Sequence, residues 1–186
     1  MKSLVSLTLV AGLLATPHLQ AKEIAGIDLP AQVQVADTQL TLNGAGVRSK
    51  FFMDLYVGSL YVMAPANDLS AISSQPQVMI TLDITSSLIS ADKMKDAINE
   101  GFDLATAGNT EALATRITQF MSLFRDTIVP GDKFSLMVTK GEGVSCYKNG
   151  QLLATIHGDD FGQALLAIWL GDEPAQDSLK DAMLGE

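Results

Sequence analysis

The segment Leu42 to Met63, LNGAGVRSKFFMDLYVGSLYVM, decides how the rest of the chain is read. It sets Gly44 and Gly46, which read as a glycine turn, ahead of Arg48, the aromatics Phe51, Phe52 and Tyr56, and a glycine-tyrosine step at Gly58 and Tyr61. Phe52, Asp54, Tyr56, Gly58, Leu60 and Val62 alternate with Phe51, Met53, Leu55, Val57, Ser59 and Tyr61. That period of two, rich in aromatic and β-branched residues, predicts a long strand rather than a helix. Arg48 and Tyr56 are an even number of residues apart and share one face. In a straight strand they would lie about 26 Å apart at ~3.3 Å per residue, so both reach one ligand only if the strand bends or bulges between them.

Downstream of this segment, Pro65 to Gln77 is rich in turn formers and reads as a connection, followed by a compact strand from Val78 to Ile84. Ser90 is placed to cap a helix, its hydroxyl accepting from the free backbone donors of the first turn. From Ala91 to Ala107, Met94, Ile98, Phe102 and Ala105 recur at helical spacing, and Gly108 ends the helix. Asn109 can cap a second helix, Thr110 to Thr127, with Leu113, Ile117, Phe120, Met121 and Phe124 on one face. Methionine and phenylalanine stripes of this kind suit core packing and could also line a lipid tunnel.

Pro130-Gly131-Asp132 marks a turn, after which Phe134, Leu136 and Val138 alternate with polar neighbours. Val144 to Lys148 and Gln151 to Ile156 flank Asn149-Gly150, a pair that accepts positive φ at both positions and favours a type I′ hairpin. Three antiparallel strands follow from this pattern. The last part is helical: Asp159 or Asp160 caps a helix bearing Phe161, Leu165, Ile168 and Trp169 that ends at Gly171, and Pro174 starts a short final helix. Trp169 reads as a core aromatic.

Upstream, Val33 and Val35, a break at Ala36-Asp37-Thr38, then Leu40 and Leu42 predict a short opening hairpin. Residues 1–21 have the layout of a secretory signal peptide, with Lys2, an apolar run from Leu4 to Leu14 and a polar stretch ending at Leu19-Gln20-Ala21. The apolar run is too short for a membrane span. Cleavage near Ala21 leaves one domain over 22–186, expected in the periplasm, with no stable membrane insertion once the leader is gone.

Loss of Lys2 with that leader leaves 11 basic against 21 acidic residues, a balance near −10. A surface this acidic, with no basic cluster, is repelled by nucleic acid and by anionic membranes. Cys146 is the only cysteine, which excludes an internal disulfide, a zinc set and a redox pair. It falls in an apolar-polar alternation and reads as a packed strand residue rather than a nucleophile. Outside the leader His157 is the one histidine, and no metal-ligand spacing is present. No metal and no cofactor are expected.

The order of elements predicts an α+β fold, an antiparallel sheet with helices gathered on one face. The pattern G-x-G-x-R-x-K-F-F followed by L-Y-V-G-S-L-Y, together with Ala164 to Gly185 around a W-L-G-x-x-P step, resembles the chalcone isomerase family. The similarity is to its bacterial periplasmic and plant fatty-acid-binding branches. It implies an open-faced β-sandwich, a long sheet backed by helices with the ligand cleft between them. Arg48 matches the family's arginine, which stabilises a phenolate in the enzymes and binds a carboxylate in the fatty-acid binders. Tyr56 falls where the enzymes carry threonine and the binders carry tyrosine. The resemblance places Ser90 and Lys93 at the tyrosine and lysine of the enzymes' central helix, and Ala97 at their asparagine. The ring-closing set is therefore incomplete, and no catalytic residue is assigned.

The expected ligand-binding residues are Arg48, Tyr56, Lys93 and Ser90. A guanidinium fork and a phenol inside an apolar fold suit a small amphipathic carboxylate such as a fatty acid. Two other readings stay open at this point. One is an isomerase or lyase on a non-flavonoid substrate, with Tyr56 or Lys93 as acid or base and a displaced pKa in the cleft. The other is a structural envelope protein with a filled cleft and Arg48 paired to Asp54 or another carboxylate.

Overall fold

The computed structural model describes residues 21–186. Residues 1–20 of the expected leader lie outside the described residues. The chain runs through β1 (Lys22–Ile24), β2 (Ile27–Leu29), β3 (Gln32–Val35), β4 (Thr38–Lys50), β5 (Met53–Val62), α1 (Leu69–Ser73), β6 (Gln77–Ile84), α2 (Ala91–Ala105), α3 (Ala114–Met121), β7 (Lys133–Thr139), β8 (Gly143–Lys148), β9 (Gln151–His157), α4 (Asp159–Leu170) and α5 (Asp177–Leu184). Strands β3 to β9 form a curled antiparallel sheet in sequence order, and β1 and β2 make a separate small hairpin. Every connection within the large sheet joins adjacent strands, so each strand is set in register by the one before it.

The segment Leu42 to Met63 is two strands, not one. Lys50 pairs with Met53, leaving Phe51 and Phe52 as a two-residue turn, with φ of 51° and 65°. Positive φ at both central residues is what a type I′ turn requires. Aromatic residues rarely adopt it, which is why strand periodicity ran through the turn in the sequence reading. Gly44 and Gly46 are no turn either; both lie inside β4, where the last helix crosses over them. A Cβ on Gly44 would overlap the Ala182 carbonyl, so only glycine lets α5 lie on the strand.

One face of the sheet carries the main core. Leu60, Val62, Val78, Ile80, Leu82, Ile84, Phe134, Leu136, Val144 and Ile156 face Met94, Ile98 and Phe102 of α2, Ile117 and Phe120 of α3 and nearly the whole of α4. The last of these helices buries eight of its twelve residues, because it lies between the sheet and its neighbouring helices. Phe102 stacks on Phe161 at 5.2 Å, and Phe120, Phe124 and Phe134 continue the aromatic cluster at 5.3 and 5.1 Å. On the opposite face the β1–β2 hairpin packs Leu29, Ile24 and Ile27 against Ala45 and Val57.

Other expectations shift at their edges. The Pro65 to Gln77 connection contains α1, capped by Asp68, whose carboxylate accepts the Ala71 N–H at 2.8 Å. The second helix is shorter than its apolar stripe. A 3-10 turn at Glu111–Leu113 precedes α3, and the Asn109 side chain donates to the Thr106 and Ala107 carbonyls instead of capping. Phe124 is buried beyond the helix end. The final helix starts at Asp177, three residues after Pro174. The Asn149-Gly150 turn has the expected positive φ at both positions, and Ser90 caps α2 as expected.

Candidate functional site

Between the helices and the β4–β5 end of the sheet lies a cavity of about 620 Å³. This is within the range of pockets that enclose a small organic ligand. Its walls are mostly apolar, with Leu82, Leu136, Met94, Ile98, Phe120 and Ile168 among them. Arg48, Lys50, Tyr56, Lys93, Asp96, Glu100 and Trp169 also line it.

Arg48 and Tyr56 are register partners across β4 and β5. The turn at Phe51-Phe52, not a bend in one strand, brings them together. Cross-strand partners on one face have Cβ atoms ~4.5–5.5 Å apart, so two residues eight apart in sequence become neighbours. An irregularity at Arg48/Ser49 leaves Leu55 unpaired in the ladder with β4 and keeps both side chains on the helix face.

Tyr56 is buried, and its hydroxyl accepts the Trp169 Nε1–H at 3.0 Å. Burial pushes the phenol above its ordinary pKa of 10.0, and the Trp169 hydrogen bond and the nearby Arg48 charge offset part of that rise. The phenol therefore stays protonated at neutral pH. With a lone pair occupied by Trp169, its own O–H is a donor for an acceptor in the cavity.

Arg48 is half-buried. Its Nη1 donates to the Ser49 carbonyl at 2.7 Å and to Gln176 Oε1 at 3.0 Å. Asp54, expected as a possible ion-pair partner, instead accepts the Ser49 hydroxyl at 2.7 Å. Among the described residues the ion pairs are Lys95–Asp92, Arg116–Asp160, Lys133–Asp83 and Lys148–Asp132, and none includes Arg48. A cation held by neutral acceptors at an apolar cavity is suited to an external anion.

Gln176 is a site residue that the sequence reading missed. Its Oε1 accepts from both Arg48 and the Ser49 N–H, and its Nε2 donates to the Val47 carbonyl and to Ser178 Oγ. It thus joins the start of α5 to the end of β4 and orients the guanidinium. Nothing in its own sequence neighbourhood distinguishes it, since its partners lie about 130 residues away. Trp169 is the core aromatic that the sequence predicts, while its indole N–H bond to Tyr56, set only by tertiary packing, has no local signal beyond the W-L-G-x-x-P step.

The other two expected residues stand apart from this pair. Lys93 lines the cavity, and its Nζ donates to the Leu88 carbonyl at 3.1 Å. Ser90 is not among the lining residues; its hydroxyl accepts the Lys93 N–H at 3.2 Å as the cap of α2. Its role in the fold is to start the helix that carries Lys93, Met94 and Ile98. Cys146 is buried on β8, and burial pushes its thiol up to about 12. Among the described residues no group of three or more His, Cys, Asp and Glu is arranged to hold a metal ion.

Residues 21–185 match the family model described as chalcone isomerase-like. The fold is similar to the crystal structure of a fatty-acid binding protein from Arabidopsis thaliana, with a TM-score of 0.63 and 17% identity, covering 86% of this chain and 92% of that one. No curated protein matches the sequence significantly.

Proposed function

The chain belongs to the chalcone isomerase-like family, and we propose that it is a non-catalytic binding protein for a small amphipathic carboxylate such as a fatty acid. The observation that carries this reading is the Arg48–Tyr56 pair, a cation without a carboxylate partner among the described residues beside a protonated phenol, at an apolar cavity of about 620 Å³. The guanidinium takes the carboxylate, the Tyr56 O–H donates a further hydrogen bond, and the Leu, Ile, Met and Phe walls take the chain. The similarity in fold to a plant fatty-acid binding protein supports the same reading. The leader-like residues 1–21 support export and a periplasmic location.

The isomerase or lyase reading expects a cleft residue with a displaced pKa, and Tyr56, raised by burial, is one. Its protonated O–H serves equally as an acid or as a donor to a bound carboxylate, so the binding reading rests on the apolar cavity around the Arg48–Tyr56 pair. A purely structural role would predict a filled cleft and an internally paired Arg48, and the open cavity disfavours it.

Organic extraction of the purified protein followed by mass spectrometry tests the proposal. A stoichiometric carboxylic lipid in wild type, depleted in Arg48→Ala, is the expected result. A protein that emerges without any bound carboxylate and takes up none when incubated with fatty acid would overturn it.

A further inference from the structure

The tip of the β4–β5 hairpin is built from residues that turn chemistry does not ask for. A two-residue turn with positive φ at both positions suits Asn-Gly, and the chain uses that pair at Asn149-Gly150, with φ of 51° and 80°. The same backbone region is imposed on Phe51 and Phe52, at 51° and 65°. A left-handed backbone is unfavourable for any residue with a Cβ, and strain of this kind collects where function requires it.

What the strain supports is exposure. Phe52 is 107% exposed and Phe51 78% exposed. Met53, Leu88 and Leu104, each more than a third exposed, lie with Phe51 around the cavity, so the apolar patch is continuous with its mouth. Two cations flank it: Lys50, whose Nζ stands 5.9 Å from the Phe51 ring centroid, and Lys93 on α2.

We propose that this hairpin tip docks the cavity mouth on the surface of a lipid bilayer. Phe51 and Phe52 enter the boundary between headgroups and acyl chains, and the lysine stems reach along it with their ammonium groups at headgroup level. A protruding two-residue turn suits a fluid surface. A stable protein interface instead needs about 800 Å² of complementary surface on each side, more than such a tip offers. Asp96 and Glu100 line the same cavity and Asp54 follows Met53 next to the turn, so the attraction is carried by the phenyl rings and extends to zwitterionic lipid. No described helix is long and apolar enough to cross a membrane, and the docking is peripheral. That the mouth then exchanges an amphipath with the bilayer rests on the function proposed above; the docking itself does not.

Cosedimentation with phosphatidylcholine vesicles tests the docking, using wild type and Phe52→Ser in the same processed form, with palmitate binding in vesicle-free buffer measured in parallel. Phe52 does not line the cavity, so the variant should keep its palmitate affinity. Its partitioning to vesicles should fall about tenfold or more, the scale of one lost phenyl burial. Wild-type protein that binds palmitate but leaves the vesicles overturns the docking and spares the ligand reading. So does equal sedimentation of both forms, or wild type eluting as a dimer that Phe52→Ser abolishes, which would assign the patch to a second copy of the chain. Vesicle binding that persists when palmitate binding is absent supports the docking and removes the ligand reading instead.

Discussion

Arg48 and Tyr56 face each other across the β4–β5 ladder at one end of an apolar cavity, the first bonded to Gln176 and the second to Trp169. Each member of the pair is thus held by a residue of the C-terminal α4–α5 region. Arg48→Ala removes the charge and should weaken carboxylate binding about 10- to 100-fold, the worth of hydrogen bonds to a charged group. Arg48→Lys keeps the charge but not the planar fork and should recover only part of the loss. Calorimetric titration of both variants with palmitate checks this.

The Trp169–Tyr56 hydrogen bond is buried, so its two ends should not be equivalent. Tyr56→Phe leaves the indole N–H without an acceptor and should cost about 1–3 kcal/mol of stability, while Trp169→Phe removes the donor and much packing as well. The double variant should cost clearly less than the sum, because the two residues share one interaction. Denaturant unfolding of the full cycle measures the coupling.

Raising the pH should unfold the protein at the alkaline side through specific buried groups. Tyr56 is held above 10.0 by burial, Tyr61 is pushed up to about 12 by burial and by Asp83, and Cys146 is pushed from 9.0 up to about 12 by burial. Each raised value means the folded state holds its proton more tightly than the unfolded chain. The resulting stabilisation is whole below the ordinary values of 9 to 10 and is lost as pH rises through the folded-state values. Melting temperatures should therefore fall progressively above pH ~9, and Cys146→Ala should remove the earliest part of the decline.

The turn at Phe51-Phe52 predicts a trade-off. Replacing the pair by Asn-Gly relieves two left-handed aromatic residues and should stabilise the protein by about 1–2 kcal/mol. The same change should abolish sedimentation with vesicles. Thermal unfolding and vesicle binding of one double variant read both effects.

Close approach of α5 to β4 gives a further check. A Cβ on Gly46 would stand 2.8 Å from Ala182 Cβ, and Gly46→Ala should destabilise by about 1–3 kcal/mol through overpacking. Because Gln176 begins the same helix, the variant should also loosen Arg48 and lower palmitate affinity.

Much of the fold was legible in local pattern. The Asn149-Gly150 hairpin, the β6 strand, the Ser90 cap and the apolar face of α2 each follow from chemistry within a few residues. The central segment was read correctly as β structure, but its turn was hidden because Phe51 and Phe52 fit strand periodicity and resist positive φ. The N-terminal β1–β2 hairpin was missed since three-residue strands give too little alternation to detect. Within the site, Arg48 and Tyr56 came from a family resemblance, whereas their convergence depends on the turn. Gln176 and Trp169 act through hydrogen bonds to residues more than a hundred positions away, which no local pattern encodes. Ser90 matched an aligned position, yet its hydroxyl is spent on the helix cap.

Trp169 is the only tryptophan in the chain and stands at the cavity beside the Arg48–Tyr56 pair, so its emission reports occupancy directly. The decisive measurement is its fluorescence on titration with palmitate and with palmitate methyl ester, in wild type and Arg48→Ala. An anion-anchored cavity predicts a saturable change with palmitate in wild type, at least about tenfold weaker for the ester and for the Arg48→Ala variant. Equal response to acid and ester, or a titration unchanged by removal of Arg48, would contradict it.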